Sequence, residues 1–251
     1  MAAQPEPADP APALQSSSGD LQHILEQMEA VQVHNPARFR PYVLTRQYRF
    51  YQADGREAQH DPKSEVLAEV TFTPPNVKTF DILETHGSGR GASVVKHMLE
   101  GESDLSKDIS RNEISRANYN FTLLGESAVE GRQCYVLGLE PKREDHVLFK
   151  GRAFIDAENF HILRVEGQPA KSPSWWLKSS YVVLRFAEVA GLWLPVATEG
   201  TGEVRIFGRF TLASQKVGLR LGDEIAQAQP ESRPSRHRSH ATAVGAAVLP
   251  Q

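Results

Sequence analysis

Leu21, Ile24, Leu25, Met28 and Val31 recur at intervals of three and four through a polar stretch, which lays one apolar stripe along a helix. Asp20 stands before it as a helix-starting cap. Pro36 and Pro41 bound its far side, because proline lacks an amide donor and pushes its predecessor out of helical geometry. The period then changes to two. Tyr42, Leu44, Tyr48 and Phe50 share one face of a strand, interrupted by Arg46, while Val43, Thr45, Gln47 and Arg49 take the other. Alternation is cleaner from Glu65 to Thr73, where Val66, Ala68, Val70 and Phe72 lie on one side. Pro74-Pro75-Asn76 turns the chain into a strand near Val77 to Glu84, with Phe80 and Ile82 on one face.

Gly87-Ser88-Gly89-Arg90-Gly91 precedes a helical stretch that places Val94, Val95, Met98 and Leu99 together. These glycines lack the Lys-Ser or Lys-Thr of a Walker loop and the spacing of a dinucleotide fingerprint, so they read as a turn into the helix. A short helical or irregular region follows around 103–117. From Tyr119 to about Leu221 strand signals dominate, with candidate strands at 119–125, 134–140, 147–156, 160–166, 176–189, 193–198 and 203–212. Glu130-Gly131, Ala157-Glu158-Asn159, Gly167-Gln168-Pro169 and Ala190-Gly191 separate them, and connections this short join antiparallel neighbours. The expected fold is mainly β with α: a curved antiparallel sheet covered on one side by helices at 21–34 and 92–101.

A chain of 251 residues, 40% hydrophobic, buries one sizeable core. The expected division is a folded domain over 20–222 between disordered segments at 1–19 and 223–251, where apolar periodicity gives way to Ala, Pro, Gln and Ser or to a basic tail. Arg236-His237-Arg238-Ser239-His240 in that tail reads as a solvated run and is assigned no site. A net charge of -3 supplies no basic surplus, so nucleic acid is not an expected partner. Cys134 is the single cysteine, which rules out an intrachain disulfide and a cysteine-based zinc site. No run approaches the roughly 18 apolar residues of a membrane-spanning helix. The first residues, Met1-Ala2-Ala3-Gln4-Pro5-Glu6, lack the basic and apolar blocks of a signal peptide, so the written chain is expected to carry no export signal.

Tyr119-Asn120-Phe121, Leu123-Leu124-Gly125 and the run from Gly131 through Cys134-Tyr135-Val136-Leu137 to Glu140-Pro141-Lys142 resemble the central strands of bacterial outer-membrane lipoprotein-sorting proteins. Phe149-Lys150-Gly151-Arg152-Ala153-Phe154-Ile155-Asp156 resembles that family's strand ending in an aspartate turn, and Ile162-Leu163-Arg164-Val165-Glu166-Gly167 follows it. Ser174-Trp175-Trp176 comes next, and Gly191-Leu192-Trp193-Leu194-Pro195 resembles the family's Gly-x-Trp-x-Pro segment. The likeness is best from about 119 to 212. It implies an unclosed antiparallel β-barrel with a lid of helices over an apolar cavity. It also implies non-catalytic binding or transport of lipid or lipoprotein acyl chains in the bacterial envelope. The implied location is the periplasm, with the cytoplasm as the alternative in view of the first residues. Relatives on the same fold act as lipoprotein receptors or envelope sensors, so a second expectation is binding of another envelope protein. Resembling carriers latch their lid with a buried arginine, for which no counterpart is assigned here.

An acyl chain gains roughly 0.8 kcal/mol per buried methylene, so unreactive apolar side chains suffice to hold one. The candidate lining is Tyr42, Leu44, Tyr48 and Phe50 from one strand, Val66, Val70 and Phe72 with Ala68 from the next, and Phe80 and Ile82 from the third. Val95, Met98 and Leu99 complete it from the helix. The same pattern also describes an ordinary core. Trp175 and Trp176 point to opposite faces of a strand, so only one of them, taken here as Trp175, lines a cavity. Trp193 beside Pro195 reads as a structural corner.

Catalysis requires a nucleophile with a base, paired carboxylates or a metal cluster, and no such spacing is present. Asp156 and His161 approach across a tight turn, where an aspartate serves the turn's own hydrogen bonds. No enzyme activity and no cofactor are expected. An unrecognised hydrolase is the least favoured of three readings, after a carrier and a protein-binding scaffold.

Overall fold

The computed structural model describes residues 18–53, 61–172, 177–204 and 208–222. Helix α1 (Ser18–His34) and a single 3-10 turn (Pro36–Arg38) lead into β1 (Tyr42–Ala53), β2 (Ser64–Thr73) and β3 (Val77–Gly87), and helix α2 (Gly89–Ser106) follows. Seven strands complete the domain: β4 (Tyr119–Val129), β5 (Arg132–Pro141), β6 (Phe149–Asp156), β7 (Ile162–Pro169), β8 (Leu177–Val189), β9 (Leu192–Val204) and β10 (Gly208–Leu221). All ten form one sheet in the order β3-β2-β1-β10-β9-β8-β7-β6-β5-β4, with antiparallel neighbours throughout. The edges β3 and β4 do not pair with each other, so the barrel stays open.

Two features of the order follow from the short connections. Consecutive strands pair as hairpins, most tightly at Glu130-Gly131 and Ala190-Gly191, whose positive φ values (51° and 82°, 51° and 76°) suit two-residue turns that match strand twist. Where the loop is long, the chain changes place: β1 lies against β10, and the segment between β3 and β4 carries the chain from one edge of the sheet to the other. Helix α2 rides on that crossing.

The covered face holds its apolar residues in separate groups. Ile24, Leu25 and Met28 of α1 pack with Tyr119, Leu137, Leu139, Ile155 and Val165 over the β4–β7 half. Val95 and Leu99 of α2 pack with Tyr48, Phe50, Val66 and Val70 over the β1–β3 half. Tyr42, Leu44 and Phe72 join Leu192 and Leu194 at the end of the sheet nearest the 3-10 turn. Each helix thus covers its own half, as the amphipathic stripes predict. Asn35 ties the first connection to β9, its side chain accepting from the Trp193 amide and donating to the Trp193 carbonyl.

Several boundaries differ from the sequence reading. Ser18 and Gly19 belong to α1, and Asp20 lies in its first turn instead of capping it. Helix α2 continues to Ser106, absorbing a stretch read as a separate region. The strand expected at 193–198 runs on to Val204, and the last strand spans Gly208–Leu221 in place of 203–212. Thr198 to Gly202 lacks apolar alternation, but it lies between β8 and β10 and its backbone is paired on both sides. Ladder bonds hold it extended where side-chain pattern does not. Trp193 sits within β9, not at a corner, and its indole N–H donates to the Ile162 carbonyl at 2.9 Å. Trp175, Trp176, the segment 1–17 and the Arg236 to His240 run lie outside the described residues.

Candidate functional site

The sheet positions the site through the pleat of β1–β3. On β2 the alternation is complete from Ser64 to Phe72, every second side chain being buried under α2 or the neighbouring apolar group. Register carries the same face across: Tyr42 opposes Phe72, Leu44 opposes Val70, and Tyr48 opposes Val66. On β3, Lys78, Phe80 and Ile82 oppose Phe72, Val70 and Ala68.

Helix α2 begins after Gly87, whose φ of 85° turns the chain out of β3, and its buried positions are Gly91, Val95, Leu99 and Ser106. Glu102 falls on the same stripe, three residues beyond Leu99. Gly91 permits close approach: a Cβ there would lie 2.4 Å from the Ser64 Cβ and 3.0 Å from the Phe50 Cβ. The other end is fastened by polar groups. The Ser103 hydroxyl donates to the Lys78 carbonyl at 2.6 Å, the Lys78 amide donates to the Ser106 hydroxyl at 3.1 Å, and the Asn76 amide group donates to the Lys107 carbonyl at 2.9 Å.

Of the lining residues expected from sequence, Tyr42, Leu44, Tyr48, Phe50, Val66, Val70, Phe72, Val95 and Leu99 are buried. Phe80 and Met98 pack part-buried against the α2 group, while Ile82 is 38% exposed. Tyr42, Leu44 and Phe72 belong to the end group and not to the patch beneath α2. Trp175 falls outside the described residues. A shallow recess lies beside the helix, lined by Val70, Lys78, Thr79, Phe80, Leu99, Glu102 and Ser103, with no room for a water molecule. Ligand pockets run to roughly 300–1,000 Å³, so α2 rests closed on a packed face.

Arg46 sits between the two apolar groups, flanked on its own face by Leu44 and Tyr48. A bulge lies beside it, where β10 inserts Val217 between the partners of Thr45 and Arg46. Its guanidinium grips Glu102 through both terminal nitrogens, at 2.6 and 3.3 Å, and Lys78 Nζ adds a third contact at 2.8 Å. The side chains are 11% (Arg46), 25% (Glu102) and 23% (Lys78) exposed. Burial alone would raise the Glu102 pKa, but Lys78 and Arg46 outweigh it and hold the carboxyl well below the usual range. Burial likewise works against the Arg46 charge, and Glu102 and Tyr48 overcome it. The Tyr48 phenol, fully buried, is pushed up by desolvation. Arg46 acts on its oxygen by charge and lies within hydrogen-bonding reach, in a geometry short of an ordinary hydrogen bond, and the O–H itself has no acceptor.

The sequence reading missed this cluster, although a signal was present. Arg46 interrupts the apolar face of β1, Lys78 shares the face of Phe80 and Ile82, and Glu102 shares the stripe of Val95 and Leu99. One charge on an apolar face reads as an interruption. Charges of both signs on three faces expected to meet point to a buried ion cluster.

Elsewhere, Asp156 accepts from the Glu158 and Asn159 amides at 2.9 and 3.0 Å and from Arg132 at 2.7 Å, so it serves its turn. The His161 ring stacks on Trp193 at 4.2 Å. Among the described residues, no group of three or more His, Cys, Asp and Glu is arranged to hold a metal ion, and no helix is long and apolar enough to cross a membrane.

A family model described as an uncharacterized protein matches residues 95–202, less than half of the chain. No curated protein matches. Solved structures similar to the chain include a DUF1329 family protein from Desulfovibrio piger, at 15% identity and TM-score 0.43, covering 80% of this chain and 92% of that one. A domain assigned to outer-membrane lipoprotein sorting from Vibrio parahaemolyticus is similar at 11% identity and TM-score 0.41, covering 79% and 92%. A LolA superfamily protein from Nitrosomonas europaea is similar at 15% identity and TM-score 0.34, covering 81% and 96%.

Proposed function

We propose that the protein binds acyl chains of a lipid or lipoprotein beneath α2, without catalysis, as a component of the bacterial cell envelope. The observation that carries this reading is the way α2 is held. Its middle meets the sheet only through apolar side chains, Val95 and Leu99 on Tyr48, Phe50, Val66 and Val70. Directional bonds hold its far end, around Glu102, Ser103 and Ser106, while ahead of its first turn the Ser88 amide donates to the Lys63 carbonyl at 2.8 Å. Such a helix lifts from the sheet when the Arg46–Glu102 contact opens, and the surface beneath its middle, from Tyr48, Phe50, Val66 and Val70, is apolar. A long alkyl chain replaces those contacts at roughly 0.8 kcal/mol per methylene. The resemblance of the β4–β10 sequence to lipoprotein-sorting proteins supports the same reading and the periplasm as the location.

Native mass spectrometry of the periplasmically expressed protein, with lipid extraction and titration of a fluorescent acyl probe, tests it. Saturable one-to-one binding that Val70→Trp blocks, while the variant still melts cooperatively, is the expected result. A protein that carries no lipid and takes up no acyl probe overturns the reading.

The exposed edge supports a second reading, binding of another envelope protein. Ile82 and Leu83 on the edge strand β3 are 38% and 49% exposed, and beyond Lys78, whose backbone bonds Ser103 and Ser106, its outer edge pairs with no strand among the described residues, so it can accept a partner strand. An empty protein that instead captures an extended peptide along β3 would favour it.

A further inference from the structure

The acyl-chain reading leaves the head of the ligand unspecified, and the Arg46 cluster bears on it. Two cations, Arg46 and Lys78, converge on a single carboxylate, Glu102. That carboxylate accepts three donors, at 2.6, 3.3 and 2.8 Å, from a bidentate guanidinium fork and an ammonium. A carboxylate offers about four acceptor positions, so one more donor would complete the set. Tyr48 supplies a candidate donor deeper on the same strand face, two residues beyond Arg46. It is 0% exposed, and although Arg46 lies within reach of its oxygen, its O–H has no acceptor. Tyr119, buried to 1%, shows the ordinary alternative, since its hydroxyl accepts from the Phe149 amide at 3.1 Å. An orphan hydroxyl beside a guanidinium is an unfilled position in a polar site. A shallow recess touches Lys78 and Glu102 on one side and Val70, Phe80 and Leu99 on the other, so polar and apolar surfaces meet at this cluster as an amphiphile's head and first methylenes require.

We propose that Arg46, Lys78 and Tyr48 form a carboxylate site for a long-chain carboxylic acid, and that Glu102 occupies it in the closed state as an internal substitute for the ligand's head. This assignment rests on the acyl-chain reading. The ligand's carboxylate displaces Glu102, takes over the two cations, and gains the Tyr48 hydroxyl, which Glu102 does not reach. Release of Glu102 frees α2 to move off the apolar face, and the alkyl chain follows. Head recognition and lid opening are then one exchange of carboxylates. A neutral ester or alcohol of the same chain length gains the apolar surface and leaves Glu102 in place.

Displacement of a fluorescent acyl probe near pH 8 by hexadecanoic acid, its methyl ester, hexadecanol and hexadecyl phosphate tests the proposal in the full chain. The wild type is expected to prefer the acid over the ester at least tenfold. Glu102→Gln removes the internal competitor and leaves the cations, so the acid-to-ester preference rises about tenfold further. Arg46→Met and, independently, Lys78→Met lower the preference, Arg46→Met to near unity. Lys78→Met covers the case in which Arg46→Met fails to fold. Equal binding of acid and ester by the wild type overturns the carboxylate site while leaving acyl binding intact. So does a Glu102→Gln variant whose affinity for both rises alike, which marks a loosened lid only. Tighter binding of the phosphate than the acid overturns the assignment in favour of a phosphate head. Failure of all four ligands to displace or bind overturns the acyl-chain reading itself.

Discussion

Arg46 on β1 and Glu102 on α2 face each other as a fork on a carboxylate, with Nη1–Oε2 at 2.6 Å and Nη2–Oε1 at 3.3 Å. Fifty-six residues separate them, and each would otherwise be a charge on an apolar face. Removing Glu102 strands Arg46, whereas removing Arg46 leaves Glu102 to Lys78 alone. Arg46→Met is expected to cost roughly 1.5–3 kcal/mol, the range for a hydrogen-bonded charge. A double-mutant cycle with Glu102→Gln, read by urea denaturation, should return a coupling above about 1 kcal/mol. Exposed surface pairs give less than that.

Acid should loosen α2 before it unfolds the β4–β10 half. Lys78 and Arg46 prevail over burial at Glu102, so its folded pKa lies below its unfolded value of roughly 4.3. A depressed carboxyl stabilises fully above the unfolded pKa and loses that contribution as pH falls toward the folded one. Between about pH 4.5 and lower values the wild type should therefore lose stability more steeply than Glu102→Gln. Urea melts at a series of pH values check this, and parallel slopes would remove Glu102 from the account. Glu29, Glu69 and Asp145, also depressed, set a common slope in both proteins.

Two glycines of α2 should respond in opposite directions to alanine. At Gly101 a Cβ meets nothing within 4 Å, so Gly101→Ala should stabilise by up to about 1 kcal/mol through helix propensity. At Gly91 the added carbon would sit 2.4 Å from the Ser64 side chain, and the overpacking, about 1–3 kcal/mol, should exceed the same gain. Thermal melts of the pair decide it. Equal stabilisation at both would mean that α2 does not seat against β1 and β2 as described.

Met28 anchors the other helix. It is 0% exposed among Leu137, Ile155 and their neighbours, so Met28→Ala should cost about 2–5 kcal/mol in a denaturant melt. Because its group is separate from the one beneath α2, acyl binding per folded molecule should survive the change. Joint loss of both would tie the two halves together.

Period-two alternation made β2 legible to within one residue, because one of its faces is buried and the other is not. The helices were legible from their stripes, and the Glu-Gly and Ala-Gly turns from the need for positive φ. The end of β9 was not. Thr198 to Gly202 is held by hydrogen bonds to both neighbours, and ladder pairing leaves no mark in side-chain pattern. The site was half legible. Its apolar members stand out by periodicity, whereas Arg46, Lys78 and Glu102 acquire meaning only once β1, β3 and α2 are brought together. Tyr48 was read as lining, but its unpartnered hydroxyl depends on what surrounds it in space.

The β1–β10 pairing carries a consequence for how the chain is made. Tyr42 pairs with Leu221 and Ala53 with Arg209, so among the described strands this junction joins the earliest to leave a ribosome to the latest. Until β10 arrives, one edge of β1 has no partner, while β4 to β9 can already assemble hairpin by hairpin. Contacts of such long sequence separation form late and slowly. A nascent chain stalled before about residue 208 would therefore present an open edge on β1, a state prone to pairing with other chains and a natural client for a chaperone.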